Sequence, residues 1–224
     1  MPESAVEAAR YALLRRLAPA IRHRVVGRLH PIGLIAEAVE WQVQDAAPNL
    51  ANVQENVAKI KSLSQTAMQS FTSQIAWLAR EEGATTTIDD GIDDCLALLH
   101  TDFELRGFSI ENEVRAPGVL VSLNALRNVL TAALIAVTDA APGPAALTLT
   151  ADVTGKQIVL CIVVRPTDDD SGISNDGGYR ALGWDDVNAL AKAESVKITR
   201  QGERVEMRYS VMDKDIADRA SPAT

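Results

Sequence analysis

Residues 14–44 read LRRLAPAIRHRVVGRLHPIGLIAEAVEWQVQ, and their spacing decides the fold. Leu14, Leu17, Ile21, Val25, Leu29, Ile32, Ile35 and Val39 recur at steps of three or four, which marks one face of an α-helix. The pattern reaches back to about residue 5. That is long for a globular helix and predicts the arm of a coiled-coil-like hairpin. Pro19 and Pro31 lie inside it; each removes a backbone donor and should bend the helix locally.

A polar break at Asp45-Ala46-Ala47-Pro48-Asn49 is followed by a second helical pattern: Leu50, Val53, Val57, Ile60, Leu63, Met68, Phe71, Ile75 and Leu78. It should end near Gly83. So short a loop makes the two helices antiparallel. A lone hairpin leaves much of both apolar stripes in water, and pairing two hairpins into four helices buries them. The sequence therefore predicts a homodimer.

After Gly83 the texture changes. Residues 84–88 are Thr-rich and β-like, and 89–106 read as a helix with Ile92, Cys95, Leu96, Leu99 and Phe103 on one face. Residues 108–114 alternate as a strand. Residues 121–140 form a helix very rich in Ala, Leu and Val. Residues 145–153 and 157–164 read as adjacent strands turning at Gly155, 167–179 as an acidic, Gly-rich loop, and 184–192 as a short helix. Residues 196–200 and 205–211 make a hairpin turning at Gln201-Gly202, and the tail from Asp213 is polar. The expected class is α+β: a helical hairpin over 1–83, a two-layer α/β sandwich over 84–212, and a disordered tail over 213–224.

Composition narrows the setting. The chain has 224 residues, 47% hydrophobic and 23% charged, but only 4% aromatic, so its cores rest on Ala, Leu, Val and Ile. Two cysteines, Cys95 and Cys161, sit in separate apolar runs and read as buried thiols of a reducing compartment. Arginines break the early apolar residues, and no uncharged stretch is long enough for a bilayer. A cytoplasmic chain with no membrane partner is expected. Net charge is −8, yet residues 1–30 carry six arginines against Glu3 and Glu7, a local +4 that leaves −12 on the rest. An acidic body argues against nucleic-acid binding, and the basic stripe argues for one localised anionic partner. No Ser-His-Asp order, zinc spacing or Walker loop is present.

Three stretches together resemble the core of sensor histidine kinases. Residues 17–37, LAPAIRHRVVGRLHPIGLIAE, look like that family's H-box helix. Residues 126–140, LRNVLTAALIAVTDA, look like the helix bearing its N-box, and 181–198, ALGWDDVNALAKAESVKI, like its late Gly-then-helix element. The resemblance implies a dimerisation and histidine-phosphotransfer hairpin followed by an ATPase-like domain. The departures fall on the nucleotide machinery. Where the family holds magnesium with an asparagine, this chain has Ala136, and Ala132 stands for the earlier asparagine. Alanine has no oxygen for a metal. Asp170-Ser171-Gly172 only partly matches the adenine-reading signature, and Gly177, Gly178 and Gly183 make a thin phosphate loop. This pattern resembles histidine phosphotransferases with a kinase-like dimeric bundle and a degenerate ATPase-like domain, which pass phosphoryl groups between receiver domains. It implies no ATP, and Mg²⁺ supplied by the partner receiver.

Of three histidines, His23 lies two residues from both Ile21 and Val25, roughly 200° around the helix from each, and should face solvent. His30 lies seven residues on, nearly on the same stripe. A phosphoacceptor imidazole must be reachable and nucleophilic. Arg22, Arg24 and Arg28 can offset phosphoryl charge or dock an acidic pocket. The acidic residue that usually follows the histidine in active kinases is Arg24 here. The expected site is therefore His23 as phosphoacceptor, with Arg22, Arg24, Arg28 and His30 binding phosphoryl or partner. His100, Trp41, Trp77 and Trp184 read as structural, and Asp168-Asp169-Asp170 as a solvated loop. Two alternatives carry different signatures: a non-catalytic adaptor, indifferent to His23, and an ATP-dependent kinase, which would bind MgATP.

Overall fold

The computed structural model describes residues 3–75, 77, 82–167 and 180–212. Leu78, Glu81, the acidic Gly-containing stretch 168–179 and the tail from Asp213 lie outside the described residues. The chain divides into two compact units, residues 18–80 and residues 1–17 with 81–224. It is an α+β protein, with a helical hairpin and a helix-plus-sheet unit.

The hairpin is built from α1 (Glu3–Gln44) and α2 (Leu50–Ile75). Asn49 opens α2: its side-chain oxygen accepts the Asn52 N–H at 3.2 Å and its carbonyl accepts the Val53 N–H. The seam follows the spacing. Ile21, Val25, Ile32, Ile35 and Val39 of α1 are half-buried, as are Val53, Ile60 and Leu63 of α2, and Ala67 is buried. Among the described residues of this unit Ala67 alone is buried, so the hairpin has almost no closed core of its own. Leu29, expected in the seam, is 46% exposed, and Trp41, expected to be a packing anchor, is 78% exposed. Eight residues on from Ile21, Leu29 has rolled roughly 80° around the helix, and Trp41 stands roughly 200° away.

The start of α1, residues 3–17, belongs with the second unit, whereas the spacing alone puts the hairpin over 1–83. Ala9, Ala12, Leu13 and Leu17 are buried there. Arg10 pairs with Glu194 at 3.0 Å and Arg16 with Asp139 at 2.7 Å.

The second unit is two-layered. Its sheet runs β2-β4-β5-β7-β6, from β2 (Ser109–Asn112), β4 (Ala145–Thr154), β5 (Gln157–Pro166), β6 (Lys197–Gln201) and β7 (Arg204–Ser210). Only the β2–β4 pair is parallel. Leu147, Leu149, Leu160, Ile162, Val205 and Met207 alternate onto one buried face. The helical layer comprises α3 (Ile88–Leu105), α5 (Thr131–Ala140) and α6 (Trp184–Ala193). A short turn, α4 (Leu123–Ala125), and a π-helical stretch, Leu126–Leu130, lead into α5. A second, two-stranded sheet pairs β1 (Thr85–Thr87) with β3 (Leu120–Ser122). At the start of α6, Asp186 accepts the Gly183 N–H at 3.0 Å. The Arg180 guanidinium beside Asp186 holds its carboxyl below the usual carboxylate range.

Candidate functional site

Helix α1 displays His23 to solvent, because the half-buried Ile21 and Val25 on either side turn the opposite face toward the seam. Around it lies a cleft of about 330 Å³ lined by His23, Arg24, Gly27 and Arg28 of α1 and by Ser70 of α2. At roughly 100° per residue the four α1 positions span one flank of the helix, from the solvent stripe of His23 round toward the seam. The half-buried Ser70, three residues beyond Ala67 on α2, closes the far side. Two of the predicted arginines, Arg24 and Arg28, thus share the cleft with His23. Arg22 and His30 are exposed but are not among its lining residues. Gly27 and Ser70 escaped the sequence reading. Neither carries a charge or an apolar signal, and Ser70 is brought in only by the register of α2 on α1.

Chemically the cleft pairs a nucleophile with two guanidinium groups and a hydroxyl. Guanidinium donors match phosphoryl oxygens in geometry and charge. The residue immediately after His23 is a base, not an acid, and the cleft's lining holds Arg24 and Arg28 and no carboxylate.

Helix α5 carries the positions that resemble the family's magnesium-holding asparagines. Ala132 and Ala136 are both buried, and every residue from Thr131 to Thr138 is buried with them. The helix's one carboxylate, Asp139, is fully engaged. It accepts from Arg16 at 2.7 Å, from Arg106 at 3.1 Å and from the Leu182 N–H at 3.2 Å. The Thr138 hydroxyl is held by Leu134 and Ile135 carbonyls and by Arg106. Neither Ala132 nor Ala136 carries a side-chain oxygen that could bind a metal. Among the described residues no cluster of three metal-ligating side chains occurs. Asp168-Asp169-Asp170 lie outside them.

The remaining sequence candidates fall elsewhere. His100 is exposed and meets Glu104 one turn on at 3.1 Å. Trp184 is stacked under the Arg200 guanidinium, 4.8 Å from the ring centre. Cys95 and Cys161 are unbridged and buried; burial pushes the Cys95 thiol up to about 12 and raises Cys161 as well. Both stay protonated and unreactive at neutral pH. Among the described residues no helix is long and apolar enough to cross a membrane.

No known family profile and no curated protein matches the sequence. Solved structures do show a loose likeness. The Acinetobacter baumannii histidine kinase AdeS is 13% identical, with 85% of this chain and 98% of that one covered at a TM-score of 0.45. A histidine kinase from Burkholderia phymatum STM815 is 14% identical over 85% and 99%, at a TM-score of 0.44. A bacterial phosphotransferase is 14% identical over 94% and 98%, at a TM-score of 0.40.

Proposed function

We propose that this chain is a histidine phosphotransferase of two-component signalling, in which His23 carries a phosphoryl group between the aspartates of receiver domains. A ring nitrogen of His23 attacks the phosphorus of an aspartyl phosphate. The N–P bond forms as the P–O bond to the carboxylate breaks, and the carboxylate leaves with the electron pair. The proton on the other ring nitrogen stays in place. Transfer to the next receiver reverses these steps. Arg24 and Arg28 offset the negative charge that the phosphoryl oxygens carry through the transfer. The receiver brings its own Mg²⁺, and no ATP takes part. The observation that carries this reading is the cleft itself: a solvent-facing imidazole with two guanidinium groups on its rim. The loss of metal-holding oxygens on α5 supports the exclusion of an autokinase step.

The active form on this reading is a homodimer in the cytoplasm. Among the described residues from 18 to 80 Ala67 alone is buried, and Val26, Val57 and Met68 are each more than half exposed. A second copy supplies the missing apolar cover. Sedimentation equilibrium should give about twice the 24.0 kDa chain mass. Met68→Glu should shift that equilibrium toward monomer, and a wild-type monomer at micromolar concentration would remove the dimer from the account.

The direct test mixes the chain with a panel of receiver domains labelled on aspartate with ³²P, and in parallel with labelled MgATP. Label should reach the chain from at least one receiver within minutes and not from MgATP. Binding without label would favour the adaptor, and labelling by MgATP alone would favour a kinase.

A further inference from the structure

We infer that the α/β unit carries a binding site for a small zwitterion with an apolar body, a free amino acid or dipeptide with apolar side chains. The site is a cavity bounded by the end of α5, the loop 141–144, the end of β5 and the β6–β7 turn. It is separate from the His23 cleft and stands whether or not phosphotransfer does.

The cavity measures about 510 Å³, a size usual for small-molecule sites. Its floor is apolar. Val137 of α5, Ala145 of β4 and Val205 of β7 are buried and line it, and the half-buried Val164 of β5 completes the wall. Pro142, Pro144 and Pro166 add surface without a backbone N–H. The Thr167 N–H is already given to the Pro144 carbonyl at 3.1 Å. Few polar groups remain to choose a ligand, and two of them, Arg200 and Glu203, are charged. Ala132, Ala136 and Gly183, which lie in the stretches that resemble a nucleotide site, are not among the described lining residues.

The two charges stand at the exposed rim, three residues apart. Arg200 is held in place: its guanidinium lies 4.8 Å from the centre of the Trp184 ring, and its Nε donates to the Gly202 carbonyl at 3.2 Å. Its two terminal nitrogens meet no acceptor among the described residues. Glu203 is fixed through its backbone, whose carbonyl accepts the Val164 N–H at 2.9 Å. Its carboxylate has no partner among the described residues and forms no ion pair with Arg200. The next opposite charges along the hairpin, Arg204 and Glu206, do pair, at 3.0 Å.

A cation and an anion thus face one apolar cavity without neutralising each other. A ligand carboxylate matches the free edge of the guanidinium. A ligand ammonium answers Glu203, and an apolar side chain covers the floor. A plain anion would meet the charge of Glu203, and a plain cation that of Arg200. A wholly apolar molecule would cover both charges without pairing either.

Titration calorimetry on the full chain tests this with L-phenylalanine and the dipeptide leucyl-phenylalanine. At least one should bind with a Kd on the order of 1 mM or tighter. Phenylpropionate, which lacks the ammonium, and phenethylamine, which lacks the carboxylate, should each bind at least about tenfold more weakly, the effect of losing a charged partner. AMP, an anion without an ammonium, should give no heat. Arg200→Gln should weaken the zwitterion about tenfold. Glu203→Gln should narrow the gap between phenylalanine and phenylpropionate. Gly143→Leu offers a blocked cavity that still folds. Gly143 lines the space, and a Cβ there meets nothing within 4 Å, so circular dichroism should match wild type while binding falls at least about tenfold. No heat from either zwitterion at about 10 mM would overturn the inference. So would phenylpropionate or AMP binding as tightly as phenylalanine, or a Gly143→Leu chain that binds like wild type.

Discussion

A His23→Gln chain should take no detectable label from any phosphorylated receiver while folding as the wild type does. The reasoning is local. His23 is exposed and outside the seam, so its loss should change stability by no more than about 0.5 kcal/mol. Glutamine keeps the size and polarity of the site but offers no ring nitrogen to bond phosphorus. His30, exposed on nearly the same stripe, is absent from the cleft lining and should not substitute. Arg28→Ala gives the graded counterpart. Removing one guanidinium donor from the transferring phosphoryl group costs roughly 2–4 kcal/mol of barrier, a slowing on the order of 10²-fold, with the carrier still competent. Rates of label transfer, with helicity measured alongside, check both. Residual transfer by His23→Gln at a tenth of the wild-type rate would place the carrier elsewhere.

Asp139→Ala should lower the unfolding free energy of the α/β unit by roughly 3–5 kcal/mol, the usual cost of stripping one partner from a buried ion pair. Three elements converge on this carboxylate. Arg16 brings the start of α1, Arg106 the end of α3, and the Leu182 N–H the approach to α6. The side chains of Arg16, Arg106 and Asp139 are only 10%, 11% and 9% exposed, so neither guanidinium can recover water when the carboxylate goes. Arg106 retains Thr138 and Asp102, which limits its loss; Arg16 retains less. Arg16→Ala should therefore cost less than Asp139→Ala, because Asp139 keeps Arg106. Urea unfolding followed by circular dichroism measures both. Equal and near-zero changes would mean that the network's attraction only offsets its desolvation.

Much of this was written in the sequence, and unevenly. The hairpin was legible because three-four spacing over some forty residues of α1 fits nothing but a helix, and five loop residues force the return. The exposure of His23 followed from the same geometry. Leu29 is misplaced because a stripe counted in steps of three and four drifts around a 3.6-residue helix; Trp41 is misplaced because its apolar bulk, not its position, marks it as a packing anchor. Residues 84–88 read as β-like and hold β1, but its partner β3 is not legible: a strand of three residues shows no measurable alternation. The π-helical stretch before α5 was read only as helix, since an extra residue per turn leaves no mark in a run of apolar side chains. That residues 3–17 pack with the α/β unit is equally hidden. Ala9, Ala12, Leu13 and Leu17 continue the spacing of the rest of α1, and only the charge partners Glu194 and Asp139, far along the chain, distinguish them. Within the site, histidine and arginine declare themselves by chemistry. Gly27 and Ser70 matter through position alone.

The most direct measurement is to phosphorylate the wild-type chain with a labelled receiver, establish the chemistry of the linkage, and map the residue that carries it. The account predicts an acid-labile, alkali-stable phosphate on His23. An acid-stable phosphate on serine, or a phosphohistidine at His30 or His100 with His23 unmodified, would contradict it.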